Sequence, residues 1–172
     1  CLNAKELMSK PLYIKVRNLG NLINESNSEF NPVVSDNEDL IIYSKSEAFY
    51  DAIMYSTKKN GQWSGPVNMN EILQVDRDLF PTSLSSDGKT LYLYSSADYD
   101  GIIYTSRFEN GNWSPIVKLN DNINTKYWES HATVSHDNRK LYFTSNRKGT
   151  IGGLDIYVSG RDSSGNWGPP EN

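Results

Sequence analysis

The sequence predicts an all-β protein made of four-stranded β-propeller blades, about three of them, with a short helix at the N-terminal end. Three observations carry that prediction. The chain repeats itself at intervals near 50 residues, each copy reads as four short strands, and each copy closes on Gly-x-Trp. A shift of 50 residues lays Ser35 on Ser85 and Ser135, Asn37 on Asp87 and Asp137, and Ile41 on Leu91 and Leu141. Upstream, Leu19 meets Met69 and Leu119, and Ile23 meets Leu73 and Ile123. A two-sheet sandwich would also supply many short strands, but nothing in it calls for a repeated sequence.

The elements follow in order. "CLNAKELMSK" places Leu2, Leu7 and Met8 as an apolar stripe with Pro11 as a stop, which reads as one amphipathic helix. Residues 1–17 are therefore expected to be a helix and linker, and residues 18–172 the repeats, divided near 18–68, 69–118 and 119–172. Within each repeat the first strand is "NPVVS", "PTSLS" or "HATVS", closed by a Ser-x-Asp/Asn turn built on Asn37, Asp87 or Asp137. Next come "DLIIYS", "TLYLYSS" and "KLYFTS", rich in aromatic and β-branched residues. The third strands are "AIMYST", "GIIYTS" and "LDIYVS". Turns containing "NG", "NG" and "SSG" then lead to Trp63, Trp113 and Trp167 and a fourth strand. Extra residues around Gly149 to Gly153 lengthen the third copy. Propellers close with about four to eight blades. Three blades are thus expected to be part of a larger propeller, or half of one completed by self-association with a second copy.

Composition narrows the partners. A formal net charge of −4, with no Lys/Arg cluster, argues against a nucleic-acid surface. No stretch reaches the ~20 apolar residues that a membrane helix needs, so membrane contact is expected only indirectly or through other domains. The single cysteine, Cys1, cannot make an internal disulfide. It is either the lipidated first residue of a lipoprotein or the start of this stretch in a longer protein.

The Ser-x-Asp turn, "LYFTSNR", "GGLDIYVS" and "GNWGPPEN" resemble the WD40-like, TolB-type (Pro-Asp) propeller repeats. They are most similar to those of Bacteroidetes OmpA-family, peptidoglycan-associated outer-membrane proteins. The resemblance implies a six-bladed fold on the periplasmic side of the outer membrane, protein partners in the cell envelope, and a role within a secretion or peptidoglycan-anchoring complex. It also implies that the first 24 residues join a helical-repeat segment to the first blade. Copy one departs from the pattern at Asn37, and "SNR" occurs only in copy three, where "KSE" and "SSA" stand in the others.

Catalytic chemistry is not expected from these residues. Asp87 and Asp137 recur at one turn of successive copies, which would hold them too far apart to flank one bond. His131 and His136 lack the further ligands that a metal needs, and "KGTIGG" lacks the Lys-Ser/Thr of a phosphate loop, so no metal or cofactor is expected. Arg147 and Asp155 are expected to pair across a hairpin, with anion binding by Arg147 as the other reading. The repeated tryptophans read as packing between blades, or as a stacking platform for sugars. Functional residues are sought where the copies disagree. "ESNSEF", "VDRDLF" and "NTKYWES" precede the first strands, and Arg77, Asp78, Tyr127 and Trp128 stand there outside the repeat pattern. The expected function is a non-catalytic interaction or scaffold module, with a carbohydrate- or peptidoglycan-fragment-binding propeller as the alternative.

Overall fold

Ser-x-Asp turns and Asn-Gly hairpins set the outline of the chain, for which a computed structural model describes residues 5, 8, 9, 15–75, 77–96 and 101–172. Blade 1 comprises β1 (Glu29–Val34), β2 (Leu40–Ser46) and β3 (Asp51–Lys59), antiparallel in that order. The short strands β4 (Gln62–Trp63) and β5 (Val67–Asn68) both pair with β3, so the expected fourth strand is two pieces. A one-turn helix, α1 (Asn70–Leu73), leads into blade 2. Blade 2 repeats the pattern with β6 (Leu79–Leu84), β7 (Thr90–Ser95), β8 (Ile102–Glu109), β9 (Asn112–Trp113) and β10 (Val117–Lys118). Blade 3 has β11 (Glu129–Val134), β12 (Lys140–Ser145) and β13 (Asp155–Gly160), and its outer position is held by the bridges Val158–Glu171 and Arg161–Trp167. The helix expected over residues 1–10 lies largely outside the described residues. Of those described, Lys5 and Met8 are helical, and the Ser9 amide donates to the Lys5 carbonyl.

Each first turn is fastened by its own side chains. The Ser85 hydroxyl donates to Asp87 at 2.5 Å, and the Lys89 amide donates to the same carboxylate at 3.1 Å. The Ser135, Asp137 and Arg139 turn repeats this at 2.6 and 3.1 Å. In blade 1 the anion has moved. Ser35 donates to Asp39 at 3.1 Å and the Asn37 side-chain Nδ2 donates to Asp39 at 2.8 Å, so Asp39 supplies the charge that Asn37 lacks.

The bonds from Ser85 and Ser135 hold the Asp87 and Asp137 carboxyls below the usual carboxylate range. A depressed folded-state pKa stabilises above the unfolded value near 4 and is lost as pH falls through the folded value. The double variant Asp87→Asn/Asp137→Asn is therefore expected to lose less stability than the wild type between about pH 4 and pH 2. Urea denaturation across that range checks it, and identical slopes would count against these turns as acid-sensitive elements.

The middle strands β2 and β7 are buried on both faces, which explains their nearly continuous apolar runs, whereas β12 leaves Lys140 and Tyr142 exposed on one face. Ile42 and Ile53 of blade 1 face Leu91, Leu93 and Trp113 of blade 2, with Met69 and Leu73 closing the same core. Tyr92 and Ile103 of blade 2 face Leu141, Phe143 and Trp167 of blade 3, with Ile123 filling the place of Leu73. Both cores therefore lie in the seams between blades. On the outer side of blade 1, Ile23, Ile41, Tyr43, Ala52 and Met54 cluster with Trp63 half-buried at their edge.

The first strands β1, β6 and β11 pack side by side and carry the blades around a common axis. Each is kinked, with the register slipping between Phe30 and Val33, Pro81 and Ser83, and Ser130 and Thr133. Asn31 and His131 take left-handed backbone there, with φ of 50° and 51°. Pro81, whose ring fixes φ near −65°, reaches its bulge without a left-handed residue. His131 accordingly sits within β11, its ring 4.7 Å from that of Tyr94. His136 lies at the turn after β11, with its Nδ1 2.9 Å from Asp36 of blade 1.

Candidate functional site

One rim of the blades is built from two kinds of segment. The connectors before β1, β6 and β11 reach it, and so do the hairpin tips between β2 and β3 and between β12 and β13. Hydrogen bonds tie the two together. The Asp51 amide reaches Asp78 at 3.4 Å, and the Trp128 amide donates to the Asn146 side chain at 2.8 Å. All six residues singled out from the sequence, Arg77, Asp78, Tyr127, Trp128, Arg147 and Asp155, fall on this rim.

Arg147 and Asp155 do not pair with each other. In the β12–β13 register Ser145 stands opposite Asp155, so Arg147 lies beyond the paired residues and turns toward the connector. Its guanidinium donates to the carbonyls of Asn122 (2.9 Å) and Ile123 (2.6 Å), and meets Glu129 at 3.3 Å. It also lies over Phe143 and Tyr157, 4.9 and 5.1 Å from their ring centres. Glu129 is fully buried and accepts further bonds from the Thr125 amide, the Thr125 hydroxyl and Ser145. Asp155 instead accepts the Ile151 and Gly152 amides at 2.6 and 3.1 Å and the Asn172 side chain at 2.8 Å. The Ile151 amide, foremost among these, pulls the Asp155 carboxyl below its usual range. Blade 1 solves the Arg147 problem differently. Lys45, equivalent to Ser145, binds Glu25 of its connector at 2.8 Å and Glu47 of its hairpin at 3.3 Å.

Trp128 and Tyr127 are both half-buried. The Trp128 indole packs on Gly101 of blade 2, where an added Cβ would lie 2.9 Å from the ring, and its N–H donates to Ser130 at 3.1 Å. Tyr127 carries the Lys126 ammonium over its ring at 5.5 Å. Trp113 and Trp167 are buried in the two seams, and Trp63 occupies the matching place on the outer face of blade 1.

Arg77 and Asp78 are exposed and border an open pocket of about 850 Å³ with Tyr50, Glu71 and Val75. Phe49 stands at its mouth, 98% exposed. Phe49 and Tyr50 were not anticipated from the sequence. The available signal was an aromatic pair in a hairpin tip, "SEAFYD", with no counterpart in the third copy. The longer tip of blade 3 exposes Ile151 and Leu154 on the same rim. Among the described residues, no group of three or more His, Cys, Asp or Glu side chains is placed to hold a metal.

This arrangement of blades has counterparts among solved structures. TolB from Acinetobacter baumannii matches 83% of this chain at 18% identity, with a TM-score of 0.52. A protein provisionally assigned as TolB, from Agrobacterium tumefaciens, matches 87% at 18% identity, with a TM-score of 0.61. The fold is that of a TolB-like propeller. The chain spans 32% and 50% of those two proteins, so these TolB-like blades correspond to part of a longer ring. No family model and no curated protein matches the sequence.

A third match corrects one expectation. A protein from Bacteroides uniformis, provisionally assigned as a 6-phosphogluconolactonase, aligns over 83% of this chain and 40% of its own, at 16% identity and a TM-score of 0.50. The expectation that the chain is not an enzyme therefore does not stand. It took carboxylates repeated around the ring as an argument against catalysis, yet the same scaffold occurs in a protein assigned a hydrolytic activity. A fold does not decide chemistry.

Proposed function

We propose that these TolB-like blades are a protein-interaction module of a cell-envelope protein, with the connector rim of blade 1 as the contact surface. The observation that carries this reading is the fully exposed Phe49 beside Tyr50, set over a pocket with Arg77 and Asp78 on its wall. A large aromatic held in water over a concave, mixed-charge surface is how an interface anchor looks before its partner arrives. The resemblance of the repeats supports a place on the periplasmic side of the outer membrane. It also supports membership of a Bacteroidetes OmpA-family protein, with partners in a secretion or peptidoglycan-anchoring complex. The carbohydrate alternative drew on the repeated tryptophans and on Trp128; Trp113 and Trp167 are buried in the seams, and the Trp128 ring and N–H are engaged by Gly101 and Ser130.

A photo-crosslinking residue at position 49, expressed in the native host, is expected to give a discrete adduct with an envelope protein. The same probe at Asn60, on the opposite rim, is expected to give none. Phe49→Ala should weaken binding to the captured partner by about tenfold or more. No adduct at 49, or equal adducts at both rims, would overturn the reading.

A further inference from the structure

The geometry points to a binding site for a small organic anion, one carrying two carboxylate or phosphate groups, in the groove between blades 2 and 3. This groove has a volume of about 410 Å³ and shares no lining residue with the pocket beside Phe49.

The two seams allow an internal comparison, because each leaves a groove beside its tryptophan. Strand register fixes which residues are equivalent. Tyr55 pairs with Val67 as Thr105 pairs with Val117, and Leu40 pairs with Thr57 as Thr90 pairs with Arg107. Phe108 stands against Trp113 as Arg161 stands against Trp167. In the first seam a groove of about 510 Å³ has Leu40, Tyr55, Thr57 and Phe108 on its walls. In the second, the same four places hold Thr90, Thr105, Arg107 and Arg161. Two side chains that pack on the first core have become hydroxyls, and a threonine and a phenylalanine have become arginines. All four changes replace packing surface or a short side chain with hydrogen-bond donors.

Charge separates the two grooves further. Lys118 joins Arg107 and Arg161 in the second, and no Asp or Glu lines it. The first groove has Lys58, Lys59 and Lys89, but Asp39 and Asp87 stand among them. Among the described residues, Arg107, Lys118 and Arg161 form no ion pair with a carboxylate. Asp162 follows Arg161 in the chain, yet its carboxylate accepts the Ser164 and Asn166 amides of its own turn at 2.9 and 2.8 Å. Three unpaired cations in one concavity repel one another and attract an anion, in a chain whose net charge is −4.

Arg161 is held in place for this task. Its guanidinium lies 4.6 Å from the Trp167 ring centre, and its Nη1 reaches the Asn138 carbonyl at 3.5 Å. Its buried Nε has no hydrogen-bond partner among the described residues. Arg107 comes from the other blade and is exposed. An arginine fork matches the two oxygens of a carboxylate or phosphate, so one fork from each blade calls for two such groups on one ligand. The Thr90 and Thr105 hydroxyls and the Asn166 side chain line the same groove as further polar partners. Its volume falls in the range of small-molecule sites, about 300 to 1,000 Å³.

Isothermal titration calorimetry on the whole 172-residue chain, with citrate and separately with pyrophosphate, tests this. One-to-one binding of at least one of them is expected with a Kd below about 1 mM, and the tighter of the two assigns the groove to carboxylates or to phosphates. Arg107→Gln and Arg161→Gln should each weaken binding about tenfold or more, and Arg107→Lys should recover only part of the loss. Arg107 is exposed, so its variants should stay folded by circular dichroism even if loss of the Arg161 contact with Trp167 unsettles the other. Lys58→Gln, in the first groove, should leave binding unchanged. Failure of both anions to bind would overturn the proposal, as would binding indifferent to Arg107→Gln or weakened equally by Lys58→Gln. Binding of a hexaglutamate peptide with neither small anion bound would also overturn it, in favour of an acidic segment of a protein.

Discussion

Replacing Arg147 with alanine is expected to lower the stability of the folded chain by about 3 to 5 kcal/mol. The fork of Arg147 joins the Asn122 and Ile123 carbonyls to the Glu129 carboxylate, at a position where Glu129 has no access to water. Removing the cation leaves that charge with hydroxyl and amide donors alone. It also strips both carbonyls of a donor and takes a planar group from the faces of Phe143 and Tyr157. A drop in Tm of roughly 6 to 20 °C follows for a chain of this size. Arg147→Lys should recover only part of the loss, because one ammonium cannot span three acceptors. Arg147→Ala/Glu129→Gln should be less damaging than the sum of its parts, since the stranded charge has gone. Exposed Lys148 is the control, expected within about 0.5 kcal/mol of wild type as alanine. Urea denaturation of these variants and of Glu129→Gln alone gives the values, and a loss below about 1 kcal/mol for Arg147→Ala would refute the clamp.

Gly101→Ala is expected to cost about 3 kcal/mol. Gly101 immediately precedes β8 of blade 2, beside the start of β11 in blade 3, and the Glu129 amide donates to its carbonyl at 3.1 Å. A Cβ there would lie 2.6 Å from the Glu129 carbonyl oxygen and 2.7 Å from its nitrogen. Backbone cannot yield as a side chain can, so the two blades must part and the Trp128 indole must leave its seat. Gly153→Ala meets nothing within 4 Å and needs no left-handed backbone, so it should stay within about 0.5 kcal/mol of wild type. A thermal melt of both variants decides it, and equal behaviour would remove the close approach as a constraint.

The blade pattern was legible because it is carried by residues that recur for local reasons. Asn60–Gly61 and Asn110–Gly111 take the left-handed backbone that a two-residue hairpin requires, and the serine turns carry their own hydrogen bonds. What recurs at a period near 50 can be seen without knowing what it touches. The rim was harder because its contacts join segments far apart in the chain. Arg147 was paired with Asp155 on hairpin proximity, but the β12–β13 register ends at Ser145 and the arginine answers a carboxylate 18 residues upstream. Glu129 looked like one polar residue in a variable stretch, and only the approach of two blades buries it. Asn37 read as a departure from the repeated turn Asp, whereas Asp39, two residues on, carries the charge. Phe49 and Tyr50 lay in a hairpin tip, where a departure from the repeat is common and carries little weight by itself.

The placement of both apolar cores between blades has a consequence for how the chain comes apart. A blade taken alone would present two greasy faces and have almost no interior, so the cooperative unit is the seam. Blade 2 belongs to both seams, through Leu91 and Leu93 on one side and Tyr92 and Ile103 on the other. It cannot melt without releasing both neighbours, and blade 1 then keeps only the cluster on its outer side. The middle copy is thus the keystone of the arrangement, and damage there is felt along the whole chain.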